Sequence, residues 1–210
     1  MPTITRKTTS HVTWNTIKTL IQNGRAREAL SVGDEIAETL TTGEQVVIVV
    51  AGIDVYAERQ VIFSLKDCLE DKRRMNADWT NKGGYPATEL RQKLNDEILS
   101  TLPADLRDII TPRTLTTDDG ECADMLWLFS EYEIHGEDWC NKDPGDAHIP
   151  YYQNPVNRCK GLGLGGDTDW WWARSPRSSH STSFCNVGRF GAASYSFASS
   201  ARDVCFGFCV

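Results

Sequence analysis

The sequence predicts an α+β domain built from small antiparallel sheets with helices against them. Three observations carry that reading. An apolar run near residue 50 is followed at once by a second strand-like stretch, helical periodicity is confined to the middle of the chain, and alternating apolar patterns return at the C-terminus.

The first strands lie in "EQVVIVVAGIDVY" (44–56), where a continuous apolar run from Val46 to Ala51 suits a strand covered on both faces. "RQVIFSL" (59–65) is its expected hairpin or meander partner. In "GGYPATELRQKLNDEILSTL" (83–102), Leu90, Leu94 and Ile98 recur every four residues behind Pro86, placed near the first turn of a helix with one apolar stripe. A second short helix starts at Pro103 and buries Leu106, Ile109 and Ile110. "ADMLWLFSEYEI" (123–134) reads as a core strand, and the Gly-, Pro-, Asn- and Asp-rich stretch from about Gly136 to Thr168 as a long irregular loop. "WWWARSP", "TSFCNVGRF" and "RDVCFGFCV" then read as strands. In the last, Val204, Phe206, Phe208 and Val210 alternate with Cys205, Gly207 and Cys209, so the C-terminus is expected inside a sheet.

Length and composition bound the function. A chain of 210 residues with 40% hydrophobic and 24% charged residues suits one soluble globular domain, taken as residues 1–210. The start lacks the apolar core of a secretory signal, and no window approaches a membrane span, so neither export by the usual route nor membrane insertion is expected. A net charge of -7 argues against a nucleic-acid partner bound by phosphate neutralisation. Cys68, Cys122, Cys140, Cys159, Cys185, Cys205 and Cys209 form no CxxC pair, which speaks against a zinc site or a complete disulfide framework and for reduced thiols.

Motifs for catalysis are sparse. No GxGxxG, Walker loop, HExxH or GxSxG occurs, and His11, His135, His148 and His180 are scattered. "GLGLGG" (161–166) lacks the lysine of a phosphate-binding loop and is weighed as a cradle against a plain turn. Acidic residues gather in "GEDW" (136–139), "DPGD" (143–146) and "DTD" (167–169); such loops can hold calcium and are more often simply solvated, and no other cofactor is expected. Cys205 and Cys209 share one face of a strand, which suits a soft metal, redox chemistry or plain burial.

The tail has its own alphabet. From Ala173 to Val210 there is no Trp, Met, Lys, Glu or Gln, although residues 1–172 contain 35 of them. With independent positions, such an absence has a chance on the order of one in several thousand against ordinary usage. These five are the amino acids that codons ending in a pyrimidine cannot encode, as expected where AAY codons are mutated at their adenines. A β tail of small residues is the competing reading. Residues 170–210 sum to a charge of +3, from Arg174, Arg177, Arg189 and Arg202 against Asp203, while the rest of the chain is strongly acidic. In "TDWWWARSPRSS" (168–179), alternation places Trp171 opposite Trp170 and Trp172, with roughly 2–3 kcal/mol for burying each ring. The scaffold (1–172) is thus anchored just ahead of a candidate variable region (173–210).

"GGYPATELRQKLN", "LPADLRDII", "DMLWLFSEYEIHG", "WWWARSP", "FCNVGRFG" and "VCFGFCV" together resemble a bacterial and phage domain with a WWxRSP core and a V-x-x-x-F ending. This domain is similar to the C-type-lectin-fold variable proteins of diversity-generating retroelements, the class that includes phage tail receptor-binding proteins. The resemblance covers residues 14–210. It implies a C-type-lectin-like fold with two helices flanking small antiparallel sheets, a place on a virion or host-cell surface, and a protein or glycan partner. It implies fixed positions at Trp171, Trp172, Arg174, Ser175, Pro176, Phe184, Val187, Gly188, Val204 and Phe208. Displayed ligand-binding positions would be Ser178, Ser179, His180, Ser181, Thr182, Ser183, Cys185, Asn186, Arg189, Phe190, Ser194, Tyr195, Ser196 and Phe197. Sugar-binding C-type lectins place calcium with EPN or QPD and WND; this chain has "QNP" at 153–155 and no WND, so that function does not carry over. Formylglycine-generating enzymes share the fold and use paired cysteines, which makes an oxidase built on Cys205 and Cys209 the enzymatic alternative. A structural phage tail module is the third reading.

Overall fold

The computed structural model describes residues 13–137, 143 and 145–210. Helix α1 (Trp14–Gln22) begins at Thr13, whose side chain accepts from the Thr16 N–H, and buries Trp14, Ile17 and Ile21 one and two turns apart. A single turn, α2 (Ala26–Ala29), leads into β1 (Glu35–Thr39), β2 (Gln45–Ile53) and β3 (Val61–Leu65). The strands pair in antiparallel order, so the hairpin expected from the apolar run is present. Ile48–Ile53 and all of β3 are buried, as a strand covered on both faces requires.

The expected central helix is present but starts later. Tyr85–Ala87 form a 3-10 turn containing Pro86, and α3 (Glu89–Lys93) begins after Thr88, whose hydroxyl accepts from the Arg91 N–H. It runs through a π-helical turn (Leu94–Ile98) into α4 (Leu99–Thr101), with Leu90, Leu94 and Ile98 buried. The helix at Pro103 is one turn, α5 (Ala104–Arg107), with Leu106, Ile109 and Ile110 buried.

Residues 123–134 are not one strand. β4 (Arg113–Thr117) and β5 (Gly120–Asp124) form a separate hairpin, β6 (Trp127–Leu128) is two residues long, and α6 (Glu131–His135) follows. The reason is local: Ser130 and Glu133 make a reciprocal capping box that commits the chain to a helix. Two 3-10 turns (Pro150–Gln153 and Pro155–Arg158) lead to β7 (Trp171–Pro176), β8 (Ser183–Val187), β9 (Ala193–Phe197) and β10 (Phe206–Cys209).

Strand order in the main sheet is β1-β2-β3-β10-β6, with β7-β8-β9 as a second sheet. The C-terminal strand therefore ends inside a sheet, as alternation predicts. Phe208 of β10 stacks on Phe63 of β3 at 5.2 Å, and Trp14 of α1 meets Phe63 edge-on at 5.5 Å, so the first helix packs on the sheet that the last residues complete. The chain is α+β with small antiparallel sheets. Among the described residues, no helix is long and apolar enough to cross a membrane.

Candidate functional site

The three-stranded sheet stands on an anchor built by "WWWARSP". Trp171 and Trp172 are fully buried on opposite faces of β7; their Nε1–H groups donate to the carbonyls of Arg158 (2.9 Å) and Arg73 (2.8 Å). Trp170 precedes the strand and is half-buried, with the Arg189 and Arg202 guanidinium groups 5.2 and 5.4 Å from its ring. Between Trp172 and Pro176 the pairing with β8 slips, and the Arg174 N–H donates to Phe129 O instead (2.9 Å). That irregularity sends Arg174 inward, where only 1% of it is exposed.

Its guanidinium bonds Glu133, Asp143 (3.1 Å), Asp146 (2.7 Å) and Leu128 O (3.2 Å). Arg113 pairs with Glu133 at 2.7 Å and lies 3.7 Å from Asp146, so two guanidinium groups face three carboxyl groups. The imbalance decides the protonation. Burial opposes ionisation of Glu133, but Arg113 and Arg174, with hydrogen bonds from Tyr56 and the Ser130 N–H, hold it at about 2. Burial and then repulsion from Glu133 push Asp146 up to about 7 against the pull of Arg174, and burial also raises Asp143. Ser175 accepts from the Glu131 N–H at 2.9 Å, so "RSP" clamps α6 and the following loop to the sheet.

The fourteen expected display positions divide by geometry. Ser178, Ser179, His180, Ser181, Arg189, Phe190, Tyr195 and Phe197 are exposed, and Thr182 and Ser194 are half-buried. Ser183, Cys185, Asn186 and Ser196 are buried and are not displayed. All but Ser196 lie on β8, the central strand, which is covered on both faces. Asn186 Nδ2 (2.6 Å) and Arg202 Nε (2.9 Å) both donate to Ser196 Oγ, so these positions build an internal polar contact. Cys185 is disulfide-bonded, which corrects the expectation of reduced thiols at that position; Cys68, Cys122, Cys159, Cys205 and Cys209 are free.

A segment far upstream braces the display loops. The Asn81 side-chain amide donates to His180 O and Ser183 O, both at 2.9 Å, and its backbone N–H to Ser181 O at 2.8 Å. Asn76 N–H donates to Ala198 O (3.1 Å), and Arg73 and Arg202 exchange backbone bonds. Trp79, 66% exposed, meets Phe197, 52% exposed, edge-on at 6.0 Å. Sequence reasoning passed over Asn81 and Trp79; the only local signal is an exposed tryptophan inside the polar stretch "ADWTNKGG" (77–84).

Other candidates resolve structurally. "GLGLGG" folds on itself: a Cβ at Gly161 would lie 2.3 Å from Gly166 O, and one at Gly166 2.0 Å from Leu162 O. Asp67 accepts from the Gly161 N–H (3.0 Å) and the Gly165 N–H (3.4 Å), so the chain's own carboxylate fills the loop. Cys205 and Cys209 are fully buried and four residues apart in extended chain, roughly 13 Å at about 3.3 Å per residue, so they form no joint thiol site. Cys205 Sγ lies 3.4 Å from Leu65 O, and burial pushes the Cys209 thiol up to about 12. Of the acidic groups, Asp143 and Asp146 are committed to Arg174 and Asp169 to Lys72, while Asp138 and Cys140 lie outside the described residues. Among the described residues, no group of three or more His, Cys, Asp or Glu is placed to hold a metal ion.

Residues 59–205, from just before β3 to just before β10, match a family described as a domain of unknown function, DUF6273. No curated protein and no solved structure matches the chain.

Proposed function

The chain belongs to the DUF6273 family, and from that premise we propose that it is a non-enzymatic binding protein. It presents a diversified C-terminal face on a rigid, C-type-lectin-like scaffold. One observation carries the reading: the tail that lacks Trp, Met, Lys, Glu and Gln supplies the exposed turn residues Ser178–Ser181 and the exposed aromatics Phe190, Tyr195 and Phe197. Phe190, Tyr195 and Phe197 are 84%, 45% and 52% exposed. Aromatic and small polar side chains are what an adaptable binding face uses: the rings give contact area at little entropic cost, and the hydroxyls adapt their hydrogen bonds.

The anchor fits the same role. Two buried tryptophans and a buried arginine hold the sheet, so changes at Ser178, Ser179, Ser181 or Phe190 leave the side-chain contacts of Trp171, Trp172 and Arg174 in place. The ligand is a protein or glycan on a target cell or virion surface, and diversification acts on the surface positions while the buried ones stay constrained.

The reading is tested by sequencing the surrounding DNA and many copies of the gene. A neighbouring reverse transcriptase, an invariant repeat of the tail, and substitutions confined to AAY codons of that repeat are expected. Loss of any one of the three would remove diversification from the proposal.

A further inference from the structure

Building on that binding face, we propose that its contact surface extends beyond the tail to Trp79, and that a cluster of Trp79, Phe197, Tyr195 and Arg177 receives an acidic protein surface. Trp79 lies 118 positions upstream of the ring it touches, in the segment that Asn76 and Asn81 tie to the display loops. Large exposed rings are costly to leave in water; Trp79 meets Phe197, and Tyr195 stands two residues before Phe197 on the same exposed face of β9. The tail's alphabet explains the arrangement. Tryptophan is among the residues most concentrated at the energetic centres of interfaces, yet codons ending in a pyrimidine cannot supply it, so the fixed scaffold provides it beside the variable strand.

The geometry favours a protein over a glycan. Sugar rings stack on open, flat aromatic faces, but Trp79 and Phe197 meet edge to face at 73° and make a corner rather than a flat platform. The Tyr195 ring is covered by the Arg177 guanidinium at 3.3 Å and flanked by His180 at 6.2 Å. Charge supplies the partner's character: among the described residues, the tail arginines Arg177, Arg189 and Arg202 have no carboxylate within ion-pair range. On the scaffold side, Asp78, Lys82 and Glu89 lie beside Trp79 and Asn81, Glu89 accepting from the Ala77 N–H at 3.0 Å, so the cationic side of this corner is the tail's. A half-buried guanidinium resting on a tyrosine is preorganised to accept a partner's carboxylate.

The test pans a phage-displayed library of random dodecapeptides on the immobilised full chain. The selected peptides are then titrated against the wild type, Trp79→Ala, Arg177→Gln and Tyr195→Ser/Phe197→Ser. Peptides carrying Asp or Glu beside apolar residues are expected, with affinity at least about tenfold weaker for Trp79→Ala and a lost salt dependence for Arg177→Gln. Trp79→Ala should unfold at the wild-type temperature, since its ring is mostly exposed. Peptides that lose binding to the Tyr195/Phe197 variant but bind Trp79→Ala unchanged would overturn this extension and leave the tail-face reading standing. Binding that survives every substitution would remove both. Selected peptides without acidic residues, or a library without binders where an array of acidic glycans binds, would overturn the partner assigned here.

Discussion

Replacing Arg174 with methionine tests how the tail is held to the scaffold. The substitution keeps a long side chain while removing a cation that meets Glu133, Asp143 and Asp146 at 1% exposure. Arg113 alone would then face three carboxyl groups. Breaking a buried ion pair by deleting one partner costs about 3–5 kcal/mol, because the remaining charge is left uncompensated. For a domain of this size each kcal/mol moves the midpoint by about 2–4 °C, so unfolding should fall by roughly 6–20 °C at pH 7. The deficit should shrink at pH 5, where the carboxyl groups take up protons and no longer need the cation; a deficit from lost packing would not change. Arg174→Lys, which keeps the charge but not the planar fork, should fall between the two. Circular dichroism melts at both pH values decide it. A methionine variant melting within about 2 °C of the wild type at pH 7, or losing the same amount at both pH values, would refute the reasoning.

Asp146, held at about 7 against an ordinary value of about 3.9, keeps a proton in the folded state that the unfolded chain has released. Its contribution is therefore full below about pH 4 and is lost as pH rises through about 7. Asp146→Asn should flatten that decline in urea titrations at several pH values, and an unchanged slope would contradict it. Trp172→Ala should cost about 3–5 kcal/mol in equilibrium unfolding, since it empties a fully buried site and removes one of the two donors to the Arg73 carbonyl. Asn81→Ala should speed amide exchange across residues 177–183 and leave the exchange of β2 and β3 as it was; uniform acceleration would mean that Asn81 supports the whole fold. Exchanging Ser178, Ser179, Ser181 and Phe190 for other polar residues should shift the melting temperature by less than about 2 °C, whereas Asn186→Phe should prevent stable folding.

Some of what the structure contains was written in short stretches that sequence reasoning passed over. "SEYE" (130–133) is a capping box inside the apolar run 123–134 that suggests one strand, and "DDG" (118–120), just ahead of that run, is a hairpin turn. The stripe Trp14, Ile17 and Ile21 behind Thr13 is likewise a legible helix. Pro86 misled in the other direction: proline suits a helix's first turn, but Thr88 caps better because its hydroxyl accepts an otherwise unpaired N–H.

By itself, the sequence determined the α+β class, the apolar strands β2 and β3, the stripe of the central helix, the alternation that ends the chain in a sheet, and the altered alphabet of the tail. These are local periodicities and compositions, readable wherever a face is buried along one element. Only the tertiary structure decided that Ser183, Cys185, Asn186 and Ser196 are inside, that Arg174 completes a carboxyl cluster, and that Trp79 and Asn81 stand beside the tail. Each depends on which strand is central and which loop crosses which sheet. Those pairings join residues tens to more than a hundred positions apart, and the local pattern of a strand is the same whether its second face meets water or another layer of the protein.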